Sequence, residues 1–321
     1  MAMAAPNPEQ GRPDPHTDPG ADRKREILDF VDGFTIETTP GSALKIPDYR
    51  DHLRPGATVS VTFLPGSDFA DTVTTAKRLK DEGFKPAPHF AARSIPSRAA
   101  FEANLKRLQD EVGIEEVVAL GGAVNKPVGA YDSSMQLLET GLFDKYGVKR
   151  IGLAGHPEGS PDISDKGLAE ALTWKNAFAE RSDAEFYLAT QFCFEAAPII
   201  AWDRAIRDAG NRLPIHIGIP GLATLKTLIN HAKACGIGPS MRILTRQAKN
   251  ITKLLNVKAP DRLVSELAYY RANDPDCGIR RVHVYPLGGL RRSAQWIYAV
   301  ADGEFTLGKD ARSFTVDKAI E

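Results

Sequence analysis

Cysteine is scarce in this chain, and the marks of several common protein classes are missing. The 321 residues include three cysteines, Cys193, Cys235 and Cys277. None forms a CxxC pair, so their spacing predicts neither a zinc site nor a disulfide framework. A reducing, cytoplasmic setting is therefore expected. No apolar run approaches the roughly 20 residues that span a bilayer, and residues 1–22 lack the apolar stretch of a secretory signal.

A net charge of one sign is also missing. The 41 Lys and Arg residues equal the 41 Asp and Glu residues in number, so we expect neither nucleic acid nor an anionic membrane as a partner. No GxGxxG follows a strand and opens a helix, there is no GxSxG, and no cluster has metal-ligand spacing. These absences argue against a Rossmann cofactor site, an esterase-type serine and a bound metal.

What the chain does contain is a regular alternation of short apolar runs and helical stretches. This alternation predicts parallel strands joined by crossover helices. Eight such units predict a (β/α)8 TIM barrel, which we expect as one domain over residues 23–321 after a disordered tail at 1–22. The eight runs are 34–38, 58–64, 86–91, 116–120, 150–154, 185–192, 213–219 and 281–285.

Helix starts are marked by capping residues. Asp68, Ser97 and Asp165 are each predicted to open a helix. The stretch between the seventh and eighth strands carries three helical patterns, 222–234, 239–255 and 260–272, where a barrel needs one, so two extra helices are predicted there. Residues 304–316 alternate and predict a terminal strand or an extended arm.

Active sites of such barrels lie at the C-terminal ends of the strands, which directs attention to Glu37. If Thr35, Glu37 and Thr39 share one face of the first strand, a carboxylate points into the barrel mouth. Desolvation there would raise the pKa of Glu37 and suit it to act as a general acid. The alternative is a structural carboxylate that is paired with Lys or Arg.

Other strand ends carry polar or glycine-rich residues. Thr62 and His89 end the second and third strands, although a lone strand histidine is more often structural. Gln191 lies in an apolar run, and a primary amide can read the edge of a pterin, purine or flavin; the alternative is an amide that is satisfied by backbone groups. The Gly121–Gly122 pair after the fourth strand and the glycines of the GHPEG segment (155–159) after the fifth let the backbone approach a flat or anionic ligand closely.

Taken in order, these segments resemble the methylenetetrahydrofolate reductase family. Each motif is short, and their joint order is what makes the resemblance specific. They span residues 34–292, nearly the whole predicted barrel. The matching segments are TIETTP (35–40), VSVTF (59–63), PHF (88–90), ALGG (119–122), GHPEG (155–159), TQF (190–192) and HVY (283–285).

The resemblance implies flavin chemistry on a folate. FAD would lie across the C-terminal face of the barrel, and NADH or NADPH would reduce it and leave. 5,10-Methylenetetrahydrofolate would then accept hydride from the flavin in a ping-pong reaction and become 5-methyltetrahydrofolate. The family's acid, which protonates the departing folate nitrogen, corresponds to Glu37. The resemblance allows a homo-oligomer and implies a small-molecule substrate.

The resemblance also assigns binding roles position by position. The cofactor positions are Thr62, His89, Leu120, Gly121, Gly122, Ala123, Tyr131, Ala154, His156 and Lys175. The substrate positions are Gln191, which aligns with the amide that reads the pterin, Leu225, where the family has an aromatic residue, and Arg291 or its neighbour Arg292, which would take a basic role on the folate tail.

One departure from the family is clear. The usual Arg-Gly-Asp after strand four reads Gly121-Gly122-Ala123, which removes one charge of each sign beside the flavin and pterin. One hypothesis is that a family member with this change uses another electron donor or catalyses the reaction mainly in one direction. The alternative functions are a folate- or flavin-binding barrel with other one-carbon chemistry, such as methyl transfer in demethylation, and a non-flavin barrel lyase or binding protein. Flavin content separates the last from the others.

Overall fold

Eight parallel strands close into a barrel in which each strand lies beside the next one along the chain. The computed structural model describes residues 19–234 and 257–321. The barrel strands are β1 (Thr35–Thr38), β2 (Thr58–Val61), β3 (Lys85–Ala91), β4 (Glu116–Leu120), β5 (Arg150–Gly155), β6 (Glu185–Phe192), β7 (Ile215–Pro220) and β10 (Ile279–Tyr285). Strand β10 closes the ring between β7 and β1. The predicted (β/α)8 barrel is therefore confirmed.

Helices follow the strands around the outside of this barrel. They are α1 (Pro19–Val31), α2 (Pro40–Ala43), α3 (Phe69–Asp81), α4 (Arg98–Val112), α5 (Ser134–Glu139), α6 (Leu142–Lys145), α7 (Asp165–Ala179), α8 (Ala196–Asp208), α9 (Leu225–Ala234), α10 (Asp261–Asn273) and α11 (Leu290–Ala301). None of these helices is long and apolar enough to cross a membrane.

The predicted helix starts are confirmed by their caps. The Asp68 carboxylate accepts the Ala70 N–H at 2.9 Å, and the Ser97 hydroxyl accepts the Ala100 N–H at 3.1 Å. Each side chain satisfies a backbone donor that the first helical turn leaves free. Helix α7 begins at Asp165, as predicted, with Ser164 as its cap.

The segment between β7 and β10 is only partly described. Helices α9 and α10 match two of the three predicted helices, and the third, 239–255, lies outside the described residues. Two short strands, β8 (Ala223–Thr224) and β9 (Val257–Lys258), pair antiparallel beside them. The C-terminal stretch forms an antiparallel pair, β11 (Phe305–Leu307) with β12 (Phe314–Val316).

The N-terminal boundary differs from the expected one. Helix α1 begins at Pro19, inside the range 1–22 that was expected to be a tail. Its residues Ile27, Phe30 and Val31 are buried, and Arg23 donates to the Ser265 carbonyl of α10 at 3.0 Å. The helix therefore forms because its apolar face packs on the barrel, although the preceding residues are rich in Pro and Gly.

A polar cluster fills the N-terminal end of the barrel interior. The Tyr187 hydroxyl donates to Glu116 at 2.7 Å, Arg150 donates to the other carboxylate oxygen at 2.6 Å, and the Tyr187 ring stacks on His216 at 3.8 Å. Gly152 must lack a side chain, because a Cβ there would lie 2.6 Å from the Tyr187 ring. This end is filled by side chains, so a ligand has to enter from the opposite, C-terminal end.

Candidate functional site

Glu37 lies at the C-terminal end of the barrel interior, between two polar neighbours. The Thr62 hydroxyl, directly after β2, donates to Glu37 Oε2 at 2.9 Å. The Nε2 atom of His283 on β10 lies 3.7 Å from the same oxygen, and the Glu37 side chain is 13% exposed. The three side chains come together because β1 lies between β2 and β10 in the closed barrel.

His283 is held in place from its other side. Its Nδ1 atom lies 2.7 Å from the Thr35 hydroxyl oxygen, and its ring meets the Tyr285 ring edge-on with centroids 4.8 Å apart. His283 lies in the HVY segment (283–285) that carries part of the resemblance, but no role was predicted for this residue. The signal was present, because Val282 and Val284 are apolar and alternation then turns His283 to the other face.

The electrostatics of Glu37 correct the sequence-based expectation. Burial acts to raise the pKa of Glu37, but His283, His89 and the Thr62 hydroxyl together hold the pKa below its usual value. The expectation of a raised pKa was therefore wrong in direction, because it counted desolvation and missed the neighbouring imidazoles. The alternative, a carboxylate that is paired with a cationic side chain, is closer to the structure, although the partner is a histidine rather than Lys or Arg.

His89 faces the same space as Glu37. Burial lowers the pKa of His89 to about 4, so its ring is neutral at pH 7. Its ring makes no hydrogen bond with the part of the chain that the structure describes. Across residues 19–234 and 257–321, no group of three His, Cys, Asp or Glu side chains is arranged to hold a metal ion.

The structure brings three of the predicted cofactor residues together at the end of β5. The Lys175 ammonium donates to the Ala154 carbonyl at 2.8 Å. Its side chain is 6% exposed, and burial lowers the pKa of Lys175 to about 8. Burial, helped by the nearby Lys175, lowers the pKa of His156 to about 4. No carboxylate of the described residues lies within 4.0 Å of the Lys175 ammonium, so this buried cation has no counter-ion among them.

The loop after β4 is anchored to the loop after β3. The Gly121 carbonyl accepts the Arg93 N–H at 2.9 Å, and the Arg93 guanidinium donates to the Asp132 carboxylate at 2.8 Å. Gly122 has a φ of +95°, a conformation that favours glycine. Leu120 is the last residue of β4, and Gly121, Gly122 and Ala123 follow it at the C-terminal face.

Gln191 lies on the rim rather than inside the barrel. Gln191 is exposed, and its side-chain amide makes no hydrogen bond with the described residues. The register of β6 against β7 shifts between Ala189 and Phe192, which turns Gln191 out of the regular strand alternation. The alternative of a buried amide that is satisfied by backbone groups was therefore wrong, and the amide is free to meet a ligand.

Three predicted residues lie away from Glu37. The Tyr131 ring packs on Phe101 of α4, with centroids 6.3 Å apart. Leu225 is 0% exposed in a small apolar cluster with Phe192, so it has no surface with which to contact a substrate in this conformation. Arg291 pairs with Glu321 at 3.0 Å and lines an outer groove of about 530 Å³, so the structure does not direct it to the barrel mouth.

Comparison with known proteins identifies a family whose model matches this chain and solved structures of similar fold. The family model described as methylenetetrahydrofolate reductase matches residues 48–246, more than half of the chain. An uncharacterized Clostridium thermocellum protein that binds two copies of 5-methyl-5,6,7,8-tetrahydrofolic acid shares 13% identity, with 87% of this chain and 98% of that chain covered and a TM-score of 0.50. A Yersinia pestis dihydropteroate synthase solved with a pterine-sulfa conjugate shares 12%, with 86% and 94% covered and a TM-score of 0.43.

The family match and the site geometry are separate observations. The matched range includes Thr62, His89, Lys175 and Gln191 but ends before His283 and begins after Glu37. At identities this low, the solved structures show the shared barrel fold alone. The family match covers the strand ends and loops from β2 to β7, on a fold that agrees with it. The chain therefore belongs to the methylenetetrahydrofolate reductase family and is a folate-related barrel enzyme.

Proposed function

We propose that this protein catalyses the flavin-dependent reduction of 5,10-methylenetetrahydrofolate to 5-methyltetrahydrofolate, with FAD as bound cofactor and NADH or NADPH as co-substrate. The observation that carries the proposal is the Glu37 carboxyl group, which lies between Thr62 and His283 at the open end of a barrel of this family. The clostridial protein of the same fold binds a methylated tetrahydrofolate, which is the class of product that we propose.

The residues at the end of β5 fit a large anionic cofactor. Lys175 is a buried cation with no carboxylate partner among residues 19–234 and 257–321, and burial of such a charge is costly unless an opposite charge joins it. A phosphate of FAD would supply that charge. We therefore assign Lys175 to the phosphate side of the cofactor, with His156 beside it and Gly121–Gly122 offering backbone to the ring. Bound FAD would supply the hydride-transfer chemistry that no side chain can provide.

The protein's own residues would handle protons and orientation. Opening the five-membered ring of the folate releases a nitrogen that must be protonated, and Glu37 is the acid in reach of the barrel mouth. The Thr62 hydroxyl fixes one carboxylate oxygen by its 2.9 Å hydrogen bond. Gln191, which is exposed and whose amide makes no hydrogen bond with the part of the chain that the structure describes, would pair with the donor and acceptor edge of the pterin.

The visible spectrum of the purified protein tests the proposal directly. A yellow protein that is bleached anaerobically by NADH or NADPH and re-oxidised by methylenetetrahydrofolate would support it. Flavin that stays reduced after the folate is added would favour a family cofactor site with other one-carbon chemistry, and Ala123 would be the first position to examine. Absence of flavin binding, even with FAD supplied, would refute the flavin proposal and favour a non-flavin barrel.

Glu37→Gln separates the two half-reactions. Because Gln cannot donate an acidic proton, we expect oxidation of the reduced flavin by the folate to slow by about 10²- to 10⁴-fold, the usual contribution of general acid catalysis. Flavin content and reduction by the nicotinamide should stay near the wild-type values. Glu115→Gln, on the surface beside Lys149, is the matched control and should change neither. Equal slowing of both half-reactions would mean that Glu37 has a structural role.

A further inference from the structure

Glu37, His283 and Thr35 form a chain of contacts across the seam where β10 meets β1. Thr35 and Glu37 point to the same face of β1, and His283 lies opposite Thr35 in the strand register. The Thr35 hydroxyl oxygen lies 2.7 Å from Nδ1, and Glu37 Oε2 lies 3.7 Å from Nε2. Both ring nitrogens are thus directed at oxygen atoms, which fixes the rotation of the imidazole.

This arrangement answers a difficulty in the proposed chemistry. An acid must hold a proton when the folate arrives, yet the surroundings of Glu37 hold its pKa below the usual value. At neutral pH the carboxylate is therefore ionised at rest. The proton has to reach Glu37 from a group within contact distance.

The other titratable groups that face His283 are poor candidates for this role. Burial lowers the pKa of His89 on β3 to about 4 and of His216 on β7 to about 3, so both rings are neutral at pH 7. Arg281 on the same strand does not release its proton. Tyr285, also on that strand, makes its hydroxyl hydrogen bond to the Thr190 carbonyl.

We infer that His283 is a positioning residue that orients Glu37 and supplies a proton to it during folate reduction. The inference rests on the proposed function. In the protonated ring both nitrogens donate, Nδ1 to Thr35 and Nε2 towards Glu37. When the folate is bound, the Nε2–H bond breaks and an O–H bond forms on the Glu37 carboxylate, and that O–H bond then breaks as an N–H bond forms on the departing folate nitrogen. A proton from the solvent restores the imidazolium after the product leaves.

The first test follows the Glu37 carboxyl carbon by NMR in protein labelled with 13C-glutamate, with Glu37→Gln identifying the resonance. In His283→Gln, which keeps an amide donor but cannot carry a charge, we expect the pKa of Glu37 to rise, since His283 is a main cause of its low value. The matched control is His52→Gln, the same change in the outer groove away from the barrel interior, which should leave the titration of Glu37 unchanged. An unchanged titration in His283→Gln would overturn the inference.

A second variant keeps the test decisive if His283→Gln does not fold. Thr35→Val removes the hydroxyl that holds Nδ1 and leaves the imidazole in the barrel. We expect a smaller upward shift of the pKa of Glu37 in this variant, because the ring is then free to turn away from the carboxylate. A titration identical to that of the wild type would count against the chain of contacts.

Kinetics then separate a proton-supplying role from a merely structural one. In His283→Gln we expect kcat for folate reduction to fall about tenfold or more, a part of the general acid effect. The KM for the folate should stay within about twofold, and the pH profile of kcat should move. An unaltered pH profile would reject the proton-supplying role. If the wild type reduces no folate, the proposed function fails, while the titration of Glu37 still decides whether the pair is coupled.

Discussion

Replacing Lys175 by methionine should make the ligand-free protein more stable, which is an unusual expectation for a residue assigned to a binding site. Its side chain is 6% exposed, and the one hydrogen bond that its ammonium makes with the described residues goes to the Ala154 carbonyl at 2.8 Å. Burial lowers its pKa from 10.5 to about 8. At about 1.4 kcal/mol per pKa unit, holding this charge costs about 3 kcal/mol at pH 7. Methionine fills a similar volume without a charge.

The sign of the pH dependence follows from the same shift. The folded-state pKa of Lys175 lies below the unfolded-state value, so the unfolded chain binds its proton more tightly. Below pH 8 the group is charged in both states and the full cost is present. Between about pH 8 and 10.5 the folded protein releases the proton first, and the contribution of Lys175 to the free energy of unfolding becomes less unfavourable as the pH rises.

The assay is urea unfolding of flavin-free wild type and Lys175→Met at pH 7 and at pH 10. The variant should be more stable at pH 7 by up to about 3 kcal/mol, and the difference should shrink at pH 10. Lys166→Met, an exposed position on the same helix, is the matched control and should change little. A variant that is less stable than the wild type at both pH values would refute the reasoning. FAD should bind the variant more weakly, because the counter-charge for its phosphates is gone.

Two further substitutions test the rim and the filled end of the barrel. Gln191→Ala should weaken folate binding about tenfold, as expected for the loss of a net 1–1.5 kcal/mol of hydrogen bonding, and leave flavin binding unchanged in fluorescence titrations; loss of flavin would refute its pterin-reading role. Tyr187→Phe removes the donor to buried Glu116 and should lower the free energy of unfolding by about 1–3 kcal/mol, as measured by urea unfolding. An unchanged urea midpoint would contradict that hydrogen bond.

The strands could be predicted because their signal is local. Strand β6 spans Glu185–Phe192, as the apolar run indicated, and the cap residues Asp68 and Ser97 act within three residues of themselves. Strand β7 begins at Ile215, two residues later than expected, because Leu213 is buried outside the ladder. Helix α1 was missed at its start because its stability comes from packing against α10 rather than from the local sequence.

The site was predictable only where a side chain follows the alternation of its strand. Glu37 and His89 meet at the mouth for that reason. Gln191 does not follow the alternation of its strand, because the register shifts between β6 and β7 at this point. That shift depends on how the two strands pair, so the sequence of one strand does not predict it. Arg291 lies on a helix, where successive side chains point about 100° apart. An error of one residue in aligning this helix with the family therefore moves the predicted side chain from the barrel mouth to the outer groove.

The pKa of Glu37 could not be predicted from that residue alone, because its neighbours decide the direction of the shift. Desolvation alone would raise the pKa of Glu37, and the sequence displays only that part of its environment. The barrel closes β10 against β1, which brings an imidazole to the carboxylate and reverses the shift. The proton for the folate then belongs to the Glu37–His283 pair, and the pH dependence of folate reduction should report the protonation of that pair. A substitution at either position should therefore alter the same pH profile.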